Sequence, residues 1–278
     1  MPERNILVTG VPRGGTTLTT YLLSQLSDCI SLNEPMNVYS FVPNELSFNL
    51  DLIDKFFSEQ RQSVAENKTA ISKTMNGKLV PNPLSDEKHP NSTKRVKLID
   101  SRTLHIQKQV PENYIMTMKH NATFTAMLGQ LVGRYDCLVL MRNPLAVLLS
   151  WQNVNMSVYN GRVPAAERLL PALTEKLDSI ADRIDRQIAV LSWFFEQFKQ
   201  APSSSIIRYE HLIATKAVQL PSMIGSSDTL SYDLTSRNLL ETDAEKRLFF
   251  ADKLMRQGGH FLDFYSHDDI RRLALGEI

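Results

Sequence analysis

Apolar and polar positions along the chain fall into alternating short runs and longer helical repeats. Ile6, Leu7 and Val8 form an unbroken apolar run of the kind a parallel strand buried on both faces requires. From Thr16 the pattern changes: Leu18, Tyr21, Leu22 and Leu26 share one helical face. Cys29–Leu32 predicts a second strand, and residues 47–66 predict a helix carrying Phe48, Leu52, Phe56 and Phe57. Strand patterns return at Tyr114–Met118, at Cys137–Met141 and at Ser205–Tyr209. Helices are predicted from near Asn121 (a suitable N-cap), from Pro144, over 165–200 with a break at Pro171, and last over Ala244–Arg256. Strands alternating with helices predict an α/β fold, three layers deep, around a central and mostly parallel sheet.

One segment departs from that alternation. Residues 67–112 hold Asn76-Gly77, Pro81, Pro83, Pro90 and many Lys, Asn and Ser residues, and only Val96–Ile99 suggests a strand. The expectation is a single domain over 1–278 with a polar insertion at about 67–112, serving as an acceptor-binding lid or else disordered.

The first strand ends at Gly10 and is followed by Val-Pro-Arg-Gly-Gly-Thr-Thr17. Strand, glycine loop and helix together aim free backbone N–H groups and a positive helix end at an anion. The spacing Gly10…Gly15 before Thr16-Thr17 is that of a Walker A loop in which Thr16 replaces the lysine, with Arg13 inside the loop as the substitute cation. The cradle is therefore shaped for a ligand other than ATP. Glu34, just past the second strand, lies on the ligand edge of such a sheet. The Cys137–Met141 strand, where a nucleotide-hydrolysing relative would place a magnesium aspartate, ends instead in Arg142. A guanidinium cannot bind a metal but can clamp a second phosphate. Two anion sites with no evident metal predict a ligand with two spaced anionic groups.

These residues carry a family resemblance. Gly10-Val-Pro-Arg-Gly-Gly-Thr-Thr-Leu18 resembles the 5′-phosphosulfate loop of the sulfotransferases that use 3′-phosphoadenosine 5′-phosphosulfate (PAPS). Arg142-Asn-Pro-Leu-Ala-Val-Leu-Leu-Ser150 resembles their 3′-phosphate motif. Ile207-Arg-Tyr-Glu-His-Leu212 is similar to the segment whose tyrosine lies near adenine, and Arg256-Gln257-Gly258 to a late turn that closes over the 3′-phosphate, with Gln for Lys. The resemblance implies the P-loop-like sulfotransferase fold, PAPS as co-substrate without a metal, and transfer to a small-molecule acceptor, hydroxyl or amine. It implies that Arg13, Gly14, Gly15, Thr16 and Thr17 hold the phosphosulfate, that Arg142, Ser150 and Arg256–Gly258 hold the 3′-phosphate, and that Tyr209 lies by the base. Lys119 is similar to the family's lysine at the sulfuryl group. Glutamate-using branches place their base where Glu34 stands, so the order of candidates is Glu34, then His120, then His105. A P-loop small-molecule kinase and a nucleotide-binding regulator without activity stay as alternatives.

The 31 Lys and Arg against 30 Asp and Glu give a net charge of +1, which offers no general attraction to nucleic acid. Cys29 and Cys137 sit in apolar runs, as reduced core thiols would. No stretch reaches the length of a membrane span, and the first strand follows Met1 too closely for a leader, so a soluble cytoplasmic protein without a membrane partner is expected. The Asn-x-Ser/Thr triplets at Asn67, Asn91, Asn121 and Asn155 are then accidental.

Overall fold

The computed structural model describes residues 4–88, 95–236 and 243–277. Its strands are β1 (Arg4–Gly10), β2 (Cys29–Asn33), β3 (Thr69–Thr74), β4 (Leu84–Lys88), β5 (Arg95–Lys97), β6 (Ser101–His105), β7 (Ile115–Lys119), β8 (Asp136–Met141) and β9 (Ile206–Arg208). Its helices are α1 (Thr16–Ser24), α2 (Leu46–Asn67), α3 (Ala122–Ala126), α4 (Leu128–Leu131), α5 (Pro144–Gln152) and α6 (Pro164–Leu169). They continue with α7 (Pro171–Asp178), α8 (Arg183–Phe198), α9 (Tyr209–Ala214), α10 (Leu220–Met223), α11 (Ala244–Gln257) and α12 (His267–Leu275).

Five strands form one sheet in the order β2-β7-β1-β8-β9, every pair parallel. Strict alternation divides its side chains between two cores. Ile6, Val8, Ile115, Leu138 and Leu140 face one side, with Leu22 and Leu23 of α1, Leu212 of α9 and Leu220 of α10. Leu7, Met116, Met118, Val139 and Met141 face the other, with Phe124 of α3, Leu148 and Trp151 of α5, Phe194 and Phe195 of α8, and Leu254 of α11. Helix, sheet and helix layers are thus as expected. The chain leaves β1 toward β2 and leaves β8 toward β9, so the crevice between the C-terminal ends of β1 and β8 is the topological switch point.

Three expectations change. The insertion is not without regular structure: β3 pairs antiparallel with β6, and β4 with β5, so an antiparallel arm stands on the edge of the molecule beside β2. Pro90, in its middle, lies outside the described residues. Asn121 does not cap α3 with its side chain; its carbonyl instead accepts from Thr9 Oγ1 at 2.8 Å. Ala244–Gln257 is not the last helix, because α12 follows, opened by a capping box between Ser266 and Asp269. Within α2 the buried face is Ile53, Phe57 and Val64, while Phe48 is half exposed. Both cysteines are free and buried, and burial pushes each thiol pKa up to about 12. Among the described residues no helix is long and apolar enough to cross a membrane.

Candidate functional site

The loop after β1 is shaped by backbone contacts that side chains would obstruct. Val11 N–H donates to the Leu140 carbonyl at 3.2 Å, and Gly14 N–H to the Val11 carbonyl at 2.8 Å. A Cβ on Gly10 would lie 2.2 Å from the Leu140 carbonyl oxygen, and one on Gly15 would lie 2.7 Å from the Tyr209 ring. Between these glycines Arg13 adopts φ 71°, a left-handed conformation unusual for a side-chain-bearing residue. Three contacts hold it there. Trp151 Nε1 donates to the Pro12 carbonyl at 2.9 Å, Arg142 Nη1 to the Arg13 carbonyl at 3.0 Å, and Arg13 Nε to Ser150 Oγ at 3.2 Å.

Helix α1 then starts behind Gly15 (φ 95°) with no side-chain cap. Its first-turn N–H groups are left to a ligand or water, at the positive end of the helix. Thr16 is buried and Thr17 half-buried at this end. Arg142, 5% exposed, stacks over the Tyr209 ring with its guanidinium carbon 4.4 Å from the centroid. Tyr209 opens α9 rather than closing β9. Glu210 fixes the β8–α5 turn from beside it, accepting Asn143 N–H at 2.9 Å and the Tyr265 hydroxyl at 2.8 Å. The structure therefore brings Arg13, Gly14, Gly15, Thr16, Thr17, Arg142, Ser150 and Tyr209 together at the switch point. It does not add Arg256 or Gln257: Arg256 is ion-paired with Asp252 at 2.9 Å on α11, and Gln257 donates to the Asp185 carbonyl at 3.1 Å. Gly258, at φ 66°, ends α11.

A second cluster forms where β2 and β7 end side by side, in the register Asn33 opposite Lys119. Glu34 N–H donates to the Lys119 carbonyl at 2.8 Å, which turns Glu34 into a left-handed corner at φ 45°. Lys119 Nζ donates to Glu34 Oε1 at 2.7 Å and to Asn33 Oδ1 at 3.3 Å, and Lys73 Nζ bonds Glu34 Oε2. Burial acts to raise the Glu34 carboxyl pKa, but Lys119 and Lys73 together outweigh it and hold it well below the usual carboxylate range. Burial also pushes the Lys119 ammonium down, and Glu34 pulls it back up. Arg13 is near enough to Lys119 to disfavour its charge further, which links the two clusters electrostatically.

The histidines have other partners. His120 is 3% exposed; its Nε2 accepts Met36 N–H at 3.1 Å, and its ring meets the edge of Phe124 at 5.1 Å. Burial above all lowers its pKa, to about 3, so it is neutral and its free lone pair is used within the fold. His105 is exposed on the arm, opposite Thr69 and packed over Gly77. Of the candidate proton acceptors, Glu34 is the one joined to Lys119.

Sequence reasoning missed Lys73, Asn33, Trp151 and the Glu210–Tyr265 pair. Lys73 was hidden because β3 buries Ala70, Ser72 and Thr74 while exposing Ile71, the reverse of an apolar alternation. Glu210, at the start of α9 in Ile207–Leu212, was in view as part of a motif without a role.

No family model and no curated protein matches this chain. Among solved structures it is similar to a sulfotransferase from Alicyclobacillus acidocaldarius at 14% identity, over 98% of this chain and 100% of that one, with a TM-score of 0.47. It is also similar to a sulfotransferase from Mycobacterium tuberculosis H37Rv at 13% identity, over 99% of this chain and 77% of that one, with a TM-score of 0.40. At such identities, what the site does follows from its own residues.

Proposed function

We propose that this protein is a sulfotransferase that moves the sulfuryl group of PAPS to a hydroxyl, or an amine, of a small-molecule acceptor and releases 3′,5′-ADP. The observation that carries this is the coupling of two anion sites: Arg142, at the end of β8, bonds the backbone of Arg13, whose side chain reaches Ser150. A nucleotide charged at both its 5′ and 3′ ends matches that pairing. A magnesium-bound triphosphate would need a carboxylate where Arg142 stands.

The residues fit such a co-substrate. The open N–H groups of α1, with Arg13, Thr16 and Thr17, would hold the 5′ end, and Arg142 with Ser150 the 3′-phosphate. The Tyr209 ring offers an aromatic face for adenine. In-line displacement forms a bond from the acceptor oxygen or nitrogen to sulfur and breaks the sulfur–oxygen bond to the nucleotide phosphate. The departing phosphate gains negative charge, which donors fixed in advance stabilise without reorganising. Lys119 supplies positive charge toward the sulfuryl group, and Glu34 takes the proton that the acceptor loses.

The test is incubation with labelled PAPS, or labelled ATP, across a panel of alcohols and amines, with a chelator present and absent. Label moving from PAPS, undiminished by the chelator, is expected. Phosphoryl transfer from ATP would replace this reading with a kinase, and tight 3′,5′-ADP binding without any transfer would replace it with a nucleotide-responsive regulator.

A further inference from the structure

One carboxylate at the site is held by two ammonium groups of different origin. Lys119 ends β7 within the sheet and is 3% exposed, whereas Lys73 lies on β3 of the arm with a side chain 35% exposed. Glu34 lies between them, 30% exposed, with Oε1 toward Lys119 and Oε2 toward Lys73. The placement of Lys73 is built in. Asn33 N–H donates to the buried Ser72 Oγ at 2.9 Å, and Asn33 Nδ2 to the Lys73 carbonyl at 3.5 Å. Glu34 follows Asn33 and Lys73 follows Ser72, so this docking of β3 on β2 sets the two side chains together.

The remaining charged and titratable neighbours come from three elements. His120 lies behind Lys119 and is neutral; Arg102 of β6 donates to the Pro35 carbonyl; Arg13 of the phosphate loop acts on Lys119. Among these groups Lys73 is the one that bonds the oxygen Lys119 leaves open.

We propose that Lys73 is a positioning residue for Glu34: from the arm it fixes the second carboxylate oxygen and sets how readily Glu34 accepts a proton. This rests on reading Glu34 as the group that takes the acceptor's proton. An ammonium bonded to a carboxylate favours its charged form and weakens it as a base. Two such bonds also fix the plane of the carboxylate, which a proton acceptor needs in order to meet a donor at hydrogen-bond distance. The arm is therefore part of the transfer centre.

The experiment labels glutamate carboxyl carbons with ¹³C, assigns Glu34 by its absence in Glu34→Gln, and titrates its resonance in wild type, Lys73→Met, Lys73→Gln and Lys73→Arg. In the Met and Gln variants the Glu34 midpoint should rise by about one pH unit or more, and in Lys73→Arg it should stay near wild type. Two neutral variants are included so that poor folding of one leaves the other to decide. Midpoints in Met and Gln equal to that of wild type would overturn the proposal. Transfer from PAPS by wild type, measured in parallel, separates the two readings. A moved midpoint without transfer keeps the hold of Lys73 on Glu34 and removes the sulfotransferase reading. Transfer with an unmoved midpoint does the reverse.

Discussion

Arg142 donates from Nη1 to the main-chain carbonyl of Arg13 at 3.0 Å, which ties the end of β8 to the left-handed corner of the phosphate loop. On the proposed reading one guanidinium would have two duties: it anchors the loop after β1, and it would meet the 3′-phosphate. Arg142→Ala should weaken 3′,5′-ADP by about 2–4 kcal/mol, the scale of a lost charged contact with a buried partner. It should weaken 5′-AMP by less, through the loosened loop alone. Calorimetric titration of both nucleotides decides, and equal losses would leave Arg142 as a loop anchor only. Ser150→Ala, which removes one neutral hydroxyl, should weaken 3′,5′-ADP by about 1 kcal/mol.

Gly15 combines φ 95° with a ring where its Cβ would be. Gly15→Ala should lower unfolding free energy by about 1–3 kcal/mol, measured with urea. Adding Tyr209→Leu should return the part due to crowding and leave the part due to the backbone. A purely additive double mutant would mean that the ring is not the obstacle.

The sheet was legible because its strands are buried on both faces. Ile6–Val8, Cys137–Met141 and Tyr114–Met118 read as apolar runs, and the structure places strands on all three. The two anion-site motifs were legible for a related reason: each lies within one strand–turn–helix unit, so local spacing determines which groups converge. Strand β3 of the arm was not legible, because its inward positions Ala70, Ser72 and Thr74 are small or hydroxyl-bearing and fill space through hydrogen bonds such as Asn33 to Ser72. The pairing of Glu34 with Lys119 depends on the β2–β7 register, a contact across 85 positions that no local pattern encodes. Arg256–Gly258 resembled a late turn closing over the 3′-phosphate; where its side chains go depends on the packing of α11, on which Arg256 pairs with Asp252.

Glu34→Gln should cut single-turnover transfer from saturating PAPS by roughly 10²-fold while nucleotide affinity holds. The same change leaves Lys119 buried without its carboxylate, so a lowered Tm should accompany it. With Glu34 held below the usual carboxylate range, wild-type transfer should show no loss from this group until the pH falls below about 4. An acidic limb near pH 6 that survives in Glu34→Gln would assign the proton to another residue.

His120 makes a prediction for stability against pH. Its folded-state pKa, about 3, lies below the unfolded value near 6.5, so between these the unfolded chain binds a proton that the folded chain refuses. Stability should therefore fall as the pH drops through this window, by about 1.6 kcal/mol from pH 6.5 to pH 5. His120→Gln keeps an acceptor for Met36 N–H and removes the titration. Urea midpoints across that range should be flatter in the variant, and equal slopes would mean that His120 is protonated in the fold.

Arg13 and Glu34, at φ 71° and 45°, hold backbone conformations that glycine adopts without penalty. Each sits where the chain turns out past the end of a parallel strand, and each has its backbone bonded to the neighbouring strand end: the Arg13 carbonyl accepts from Arg142, and Glu34 N–H donates to the Lys119 carbonyl. Glycine at either position would relieve up to about 1 kcal/mol of backbone strain, but at Arg13 it would give up the contact with Ser150, and at Glu34 it would leave Lys119 buried without its carboxylate, a larger loss. At Glu34 the strained corner and the buried ion pair thus come as one unit, and selection for heat resistance alone would keep the glutamate there.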